Sequence, residues 1–301
     1  MKLRSAFTMI ELIFVIVIMG IIAKFGVEFL ARSYETFIFS SVNNRLQSNS
    51  ATTVEFIASR LQHRIKDSVI VRTTEAANLT ALSSAAGGTE YLVLEWVSAD
   101  IEGFRGTGTP LWSGILDLDA GIALGNNTLV SPDTNTSDIN NLIATLSYGT
   151  KGIGDAALYF IGSNNDINGY GWDNGGAAFT TQTNVMHPIT SVAGDVSQFT
   201  SSNAGNFGGV DVYEYYKLAW TANAIVISAP DANNMSTLTY HYNYQPWNGE
   251  RFDDANTQSA LIMEDVSTFK AIAIGSIIKI QVCAKSRLVE EYSLCKEKTI
   301  Y

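Results

Sequence analysis

From Phe7 to Ala23 the chain runs through 17 residues that carry a single charge, Glu11. At roughly 1.5 Å per residue such a helix is about 25 Å long, enough to cross a thin or deformed bilayer. Lys2 and Arg4 precede the run and Lys24 closes it, which predicts a cytoplasmic N-terminus and a chain that continues outside the membrane. Apolar positions then recur at Phe29, Leu30, Phe37, Ile38, Val42 and Leu46, and again at Val54, Ile57, Ala58, Leu61, Ile65 and Val69. The second set steps by three or four residues, the spacing of one helical face. This predicts one long helix from about Phe7 to Val71, with a kink at the weak helix formers Ser48–Thr53 and with Arg60, His63, Arg64 and Lys66 mostly off its buried face.

After Thr73 the pattern changes to short apolar runs between Gly, Asn, Asp, Ser and Thr clusters. The runs predict strands at Tyr91–Val97, Leu111–Leu118, Ala157–Ile161, Val210–Trp220, Ile225–Ala229, Leu238–Tyr244, Ser259–Met263, Val266–Ala273 and Ile277–Ala284. In the last, Ile278, Ile280 and Val282 fall on one face and Lys279, Gln281 and Cys283 on the other. Ser137–Leu146 reads as a short helix capped by Ser137 or Asp138. Strands without regular strand–helix alternation define an α+β class with an antiparallel sheet onto which the long helix docks. The predicted organisation is 1–6, a short basic stretch; 7–30, a transmembrane segment; 31–72, its amphipathic continuation; and 73–301, a β-rich domain.

Composition narrows the function classes. The 301 residues are 46% hydrophobic and 16% charged, with a mean hydropathy of +0.09, too apolar for a disordered chain. Five Pro and two Cys exclude collagen-like and disulfide-dense classes. Past Arg32 there remain 15 basic and 27 acidic residues, a net charge of −12, so no nucleic-acid partner is expected.

A lone carboxylate within a span costs about 2.5–3.5 kcal/mol on insertion scales, and a simple anchor has no use for Glu11. No small-x-small cleavage site follows the apolar run, as a secretory signal requires. Ala6-Phe7-Thr8-Met9-Ile10-Glu11-Leu12 resembles the processing and methylation motif of type IV pilins and type II secretion pseudopilins. The resemblance covers about 25–30 residues and implies cleavage by a prepilin peptidase between Ala6 and Phe7 with N-methylation of Phe7. Ala6 stands where the family usually has Gly. The family's conserved-motif acid maps to Glu11, which the resemblance pairs with the N-terminal amine of a neighbouring subunit, giving a costly buried charge an opposite one. The implied protein is a large minor pseudopilin or pilin, single-pass in the inner membrane with a periplasmic domain. Its implied partners are other pilins or pseudopilins, the prepilin peptidase, the inner-membrane assembly platform and membrane lipid. A pilus-tip adhesin or substrate-binding module is the alternative.

In the oxidising compartment beyond that membrane, Cys283 and Cys295 suit a bridge across a terminal hairpin or loop. Two Cys without nearby His do not suit zinc. Asn164, Asp166, Asn168 and Asp173 resemble the start of a calcium loop, but Asn164 opens it and Gly175 stands where a bidentate Glu belongs. A polar turn explains the segment better, so calcium is the one cofactor candidate and none is expected. His63, His187 and His241 are scattered, and no HExxH, GxSxG or Walker A pattern occurs, so enzymatic catalysis is not expected. The aromatics Tyr213, Tyr215, Tyr216, Trp220, Tyr240, Tyr242, Tyr244 and Trp247 read mainly as strand faces and core.

Overall fold

The computed structural model describes residues 8–73, 79–124, 127–163, 165–172, 176–289 and 291–301. Helix α1, Met9–Leu61, is followed by strands β1 (Ile70–Arg72), β2 (Leu79–Ala81) and β3 (Val93–Ser98). Helices α2 (Ile101–Arg105) and α3 (Leu118–Leu124), strand β4 (Thr128–Val130), helix α4 (Thr136–Leu146) and strands β5 (Ala157–Phe160), β6 (Met186–Val192) and β7 (Asp195–Ser201) come next. Strands β8 (Tyr216–Ala219), β9 (Thr221–Ile227), β10 (Ser236–Tyr244), β11 (Gln258–Ile274), β12 (Ile277–Lys285) and β13 (Ser293–Ile300) complete the chain. The strands form an eight-stranded sheet, β13-β12-β11-β10-β9-β3-β1-β2, and a five-stranded one, β4-β7-β6-β5-β8, antiparallel throughout. The chain passes from the small sheet to the large one at Trp220, between β8 and β9. The class is α+β, as the sequence predicts.

The large sheet is covered on both faces. On one, Leu94, Trp96, Ile225, Leu238, Ile278, Ile280 and Val282 pack against Val42, Leu46, Val54, Ile57 and Leu61 of α1. On the other, Val93, Val97, Ala222 and Ala224 meet Tyr170, Trp172, Phe179 and Trp247. The odd–even split of β3 and β9 residues between these clusters is the two-residue strand period at work. A third cluster joins Ile139 and Ile143 of α4 to Leu158, Phe160, Ile189, Phe199 and Leu218 of the small sheet.

Several elements differ from the sequence reading. Helix α1 stops at Leu61, not Val71, although it runs without interruption through Ser48–Thr53. Beyond it the Ile65 N–H donates to the Val97 carbonyl and the Ala99 N–H to that of His63, so β3 competes successfully for the backbone. The β-branched Ile70-Val71 then pairs as a strand. Arg64, read as lying off the buried face, is itself buried, and its guanidinium donates to the carbonyls of Leu61 and Ser276. A cation on the last carbonyls of a helix opposes the negative end of its dipole.

Leu111–Leu118 is not a strand: Gly114, at φ 76°, breaks it, and its backbone bonds singly to Gly103, Glu214, Tyr216 and Val130. Within Val210–Trp220 only Tyr216–Ala219 is a strand. The two runs either side of Glu264-Asp265 are one strand, β11, with a register shift against β10 there and Asp265 at φ 59°. The cap of α4 is Asn135, whose side-chain oxygen accepts from the Ser137 and Asp138 N–H groups, in place of Ser137 or Asp138.

Candidate functional site: the exposed apolar helix

Helix α1 has two unlike halves. From Val42 onward it is anchored by the core, with the Phe39 ring tilted against that of Tyr292 at a centroid distance of 4.9 Å and the Tyr292 hydroxyl donating to the Asn43 side chain at 2.8 Å. Before Phe37 every described side chain is exposed. From Met9 to Ala23 this free half is apolar on all sides except at Glu11, long and apolar enough to cross a membrane.

Between Lys24 and Phe37 the pattern changes. Lys24, Glu28, Arg32 and Glu35 step by four, four and three residues, so at about 100° per residue they share one narrow stripe with alternating sign. Phe25, Val27, Phe29, Leu30, Tyr34 and Phe37 occupy the remaining circumference and are all exposed. Lipid does not favour the stripe and water does not favour the aromatics. Such a segment suits packing among other helices.

Glu11 has a partner within its own chain. Its carboxylate accepts from the Thr8 N–H at 2.9 Å and the Thr8 hydroxyl at 2.7 Å. Thr8-Met9-Ile10-Glu11 thus uses half of the S/T-x-x-E capping pattern, a signal the sequence reading did not use. Ala6 and Phe7 lie outside the described residues.

Cys283 and Cys295 are opposite one another in the β12–β13 register and are joined by a disulfide. β13 is the edge strand of the large sheet and lies against α1, with Lys298 ion-paired to Glu55 on the helix. The bridge therefore pins the strand that supports the helix. Of the calcium candidates, Asn164 and Asp173 are outside the described residues. Asp166 caps the short 3-10 turn Ile167–Tyr170, accepting from the N–H and side-chain amide of Asn168, each at 3.0 Å. Among the described residues no cluster of three or more His, Cys, Asp or Glu is placed to hold a metal ion. The three His stay apart: His63 follows α1, His187 is buried in β6, and His241 Nδ1 lies 2.9 Å from the Phe252 carbonyl. Tyr216, Trp220, Tyr240, Tyr244 and Trp247 are core, whereas Tyr215 is exposed.

Two features had no sequence signal. Arg72 and Glu95 form a buried ion pair between β1 and β3, completed by Arg72 donating to the Trp172 carbonyl and Tyr244 to Glu95. Burial pushes the Glu95 carboxyl up even against the Arg72 charge, and pushes the Tyr244 phenol further above its usual range. Beside the helix, a cavity of about 360 Å³ is lined by Phe56, Arg60, Asp100, Asn223, Tyr240 and Tyr242. Arg60 lies over the Phe56 and Tyr240 rings, and the Tyr240 hydroxyl bonds to Asn223. The cavity thus lies along the seam between helix and sheet.

Compared with known proteins, the chain matches no family model, no curated protein and no solved structure. The fold and the exposed helix together define an α+β protein with, among the described residues, one candidate membrane-spanning helix near its N-terminus.

Proposed function

We propose that the chain is a filament subunit of the type IV pilin or pseudopilin kind, held in the inner membrane by the first half of α1 with its β-rich domain in the periplasm. The observation that carries this reading is the free half of α1. Burying one large apolar side chain is worth about 1.5–3 kcal/mol, so leaving all of those from Met9 to Phe37 in water costs on the order of 20 kcal/mol or more. Lipid answers for the all-apolar part. The striped part, Lys24–Phe37, calls for neighbouring helices, which is what a filament of parallel subunits supplies. The FTMIEL junction supports the same reading through its likeness to the prepilin motif. The subunit works by assembly and carries out no chemical reaction.

The test is the intact mass of the chain purified from cells with and without prepilin peptidase. Loss of Met1–Ala6 together with one methyl on Phe7, only in the peptidase-positive cells, is the expected result. An unprocessed leader in both would sink the assignment.

A further inference from the structure

The charges on the free half of α1 beyond Ala23 alternate in sign along one narrow stripe: Lys24, Glu28, Arg32 and Glu35. All four stand exposed. Lys24–Glu28 and Glu28–Arg32 have the four-residue spacing at which side chains on successive turns can pair. Yet among the described residues none of the four is ion-paired, with one another or with any other group. The exposed Phe25 and Phe29 flank the stripe on one side and Val27 on the other. The result is an apolar surface with an unanswered pattern of sign running through it.

Such a pattern specifies a partner and a register. Two copies of α1 inserted in one membrane run parallel, because the basic residues before the span fix the direction of each. In register, the copies set Lys24 against Lys24 and Glu28 against Glu28. Slid by eight residues, about 12 Å, Lys24 of one meets Arg32 of the other and Glu28 comes beside Glu35. Slid by four residues, about 6 Å, the signs agree throughout. Lys24 of one copy is then level with Glu28 of the other, Glu28 with Arg32, and Arg32 within one residue of Glu35. Exposed pairs contribute little each, so burial of Phe25, Phe29 and Val27 supplies the attraction and the charges choose the register.

We propose that α1 pairs through this stripe with α1 of a second copy of this chain, parallel and displaced along the axis by about 6 Å. The proposal deepens the filament reading and rests on it for the shared membrane. The pairing of Glu11 with the amine of a neighbour's Phe7, four residues earlier in the chain, would call for the same displacement.

The test uses two differently tagged copies of the full chain in one cell. Both native cysteines are joined in the disulfide, so introduced thiols report alone. One copy carries Val27→Cys and the other Ala31→Cys, and isolated membranes are oxidised with copper phenanthroline. The expected result is a 27–31 cross-link at least about fivefold stronger than 27–27 or 31–31, weakening as salt is raised. Glu28→Lys in both copies should reduce it at least about fivefold. The fourfold reversal Lys24→Glu, Glu28→Lys, Arg32→Glu, Glu35→Lys keeps the alternation and should restore it. All of these positions precede the part of the helix held by the core, and membrane abundance checks each variant. Equal yields from the three cysteine pairings, a cross-link indifferent to Glu28→Lys, or a fourfold reversal that does not restore it would overturn the proposal. The last result would place the matching charges on a different chain. Intact mass from the same membranes keeps the two readings apart: a processed chain without the 27–31 link overturns this pairing alone, whereas an unprocessed chain that forms the link sinks the filament reading and leaves the pairing.

Discussion

Asp100 and His187 are both buried, and burial displaces their titration in opposite senses. Loss of solvation lifts the Asp100 carboxyl to about 6, against hydrogen bonds from the Gly103 N–H and the Trp112 indole, and the nearby Glu102 adds to the rise. A folded state that holds its proton more tightly than the unfolded chain loses stability as pH climbs between the two pKa values, here from about 4 to 6. For His187, held down to about 4, the unfolded chain binds the proton more tightly, so stability rises with pH from about 4 to 6.5. The two slopes oppose each other in the wild-type chain. Urea unfolding of wild type and Asp100→Asn across this range separates them: the advantage of wild type over the variant should shrink by about 1–3 kcal/mol from pH 4 to pH 6. A pH-independent difference would show that Asp100 titrates as an ordinary carboxylate. Neither group was legible as buried. Asp100 is covered by Trp112 and His187 by Phe160 and Phe207, contacts made by the fold and not by any local period. Arg64 was misread for the same reason, since its acceptor on Ser276 comes from the β11–β12 turn. What could be read at this scale was the alternation in β12, because there each residue's face follows from its neighbours.

The β12–β13 hairpin ties the edge of the large sheet to α1. Its disulfide spans a sequence separation of 12 residues, and closing such a loop in the unfolded chain is worth about 3 kcal/mol on the chain-entropy account. The Cys283→Ser/Cys295→Ser pair should therefore lower unfolding free energy by about that amount, with faster amide exchange in Ser293–Ile300 and little change in β8. A uniform rise in exchange across both sheets would mean that β13 does not open independently. β13 was missed in the sequence because Lys296 and Lys298 interrupt the apolar face that Leu294 and Ile300 turn toward α1, and inward-pointing charges of this kind are one way an edge strand is protected. β6 and β7 were missed because Ser and Thr dilute their apolar pattern, although the Gly194 turn at φ 88° marks their hairpin. Long, strongly patterned elements were legible: α1, α4 and β10 to β12. Their ends were not, because caps and strand competition set them, as the Asn135 cap and the pull of β3 on Ile65 show.

For the whole molecule the decisive question is what Glu11 serves. Within one chain it already has a role: it accepts from Thr8 at the start of α1. Under the proposed filament reading it would have a second, pairing with the N-terminal amine of a neighbour. The two roles separate by substitution. Glu11→Gln keeps a side-chain oxygen for the Thr8 N–H, since Gln serves this capping position as well as Glu, but it removes the charge. Glu11→Leu removes both and lightens insertion by about 2.5–3.5 kcal/mol. Both variants should therefore reach the membrane in at least wild-type amounts. If the charge directs assembly, both should co-purify poorly with other pilins and secrete or piliate poorly, because the neighbour's amine is left unpaired in lipid. If Glu11 only caps its own helix, Gln should restore what Leu loses. Membrane abundance and co-purification measured side by side in the two strains decide the matter. Wild-type assembly with Glu11→Gln would remove the charge-pairing argument and leave the striped surface from Lys24 to Phe37 as the remaining guide for one helix against the next.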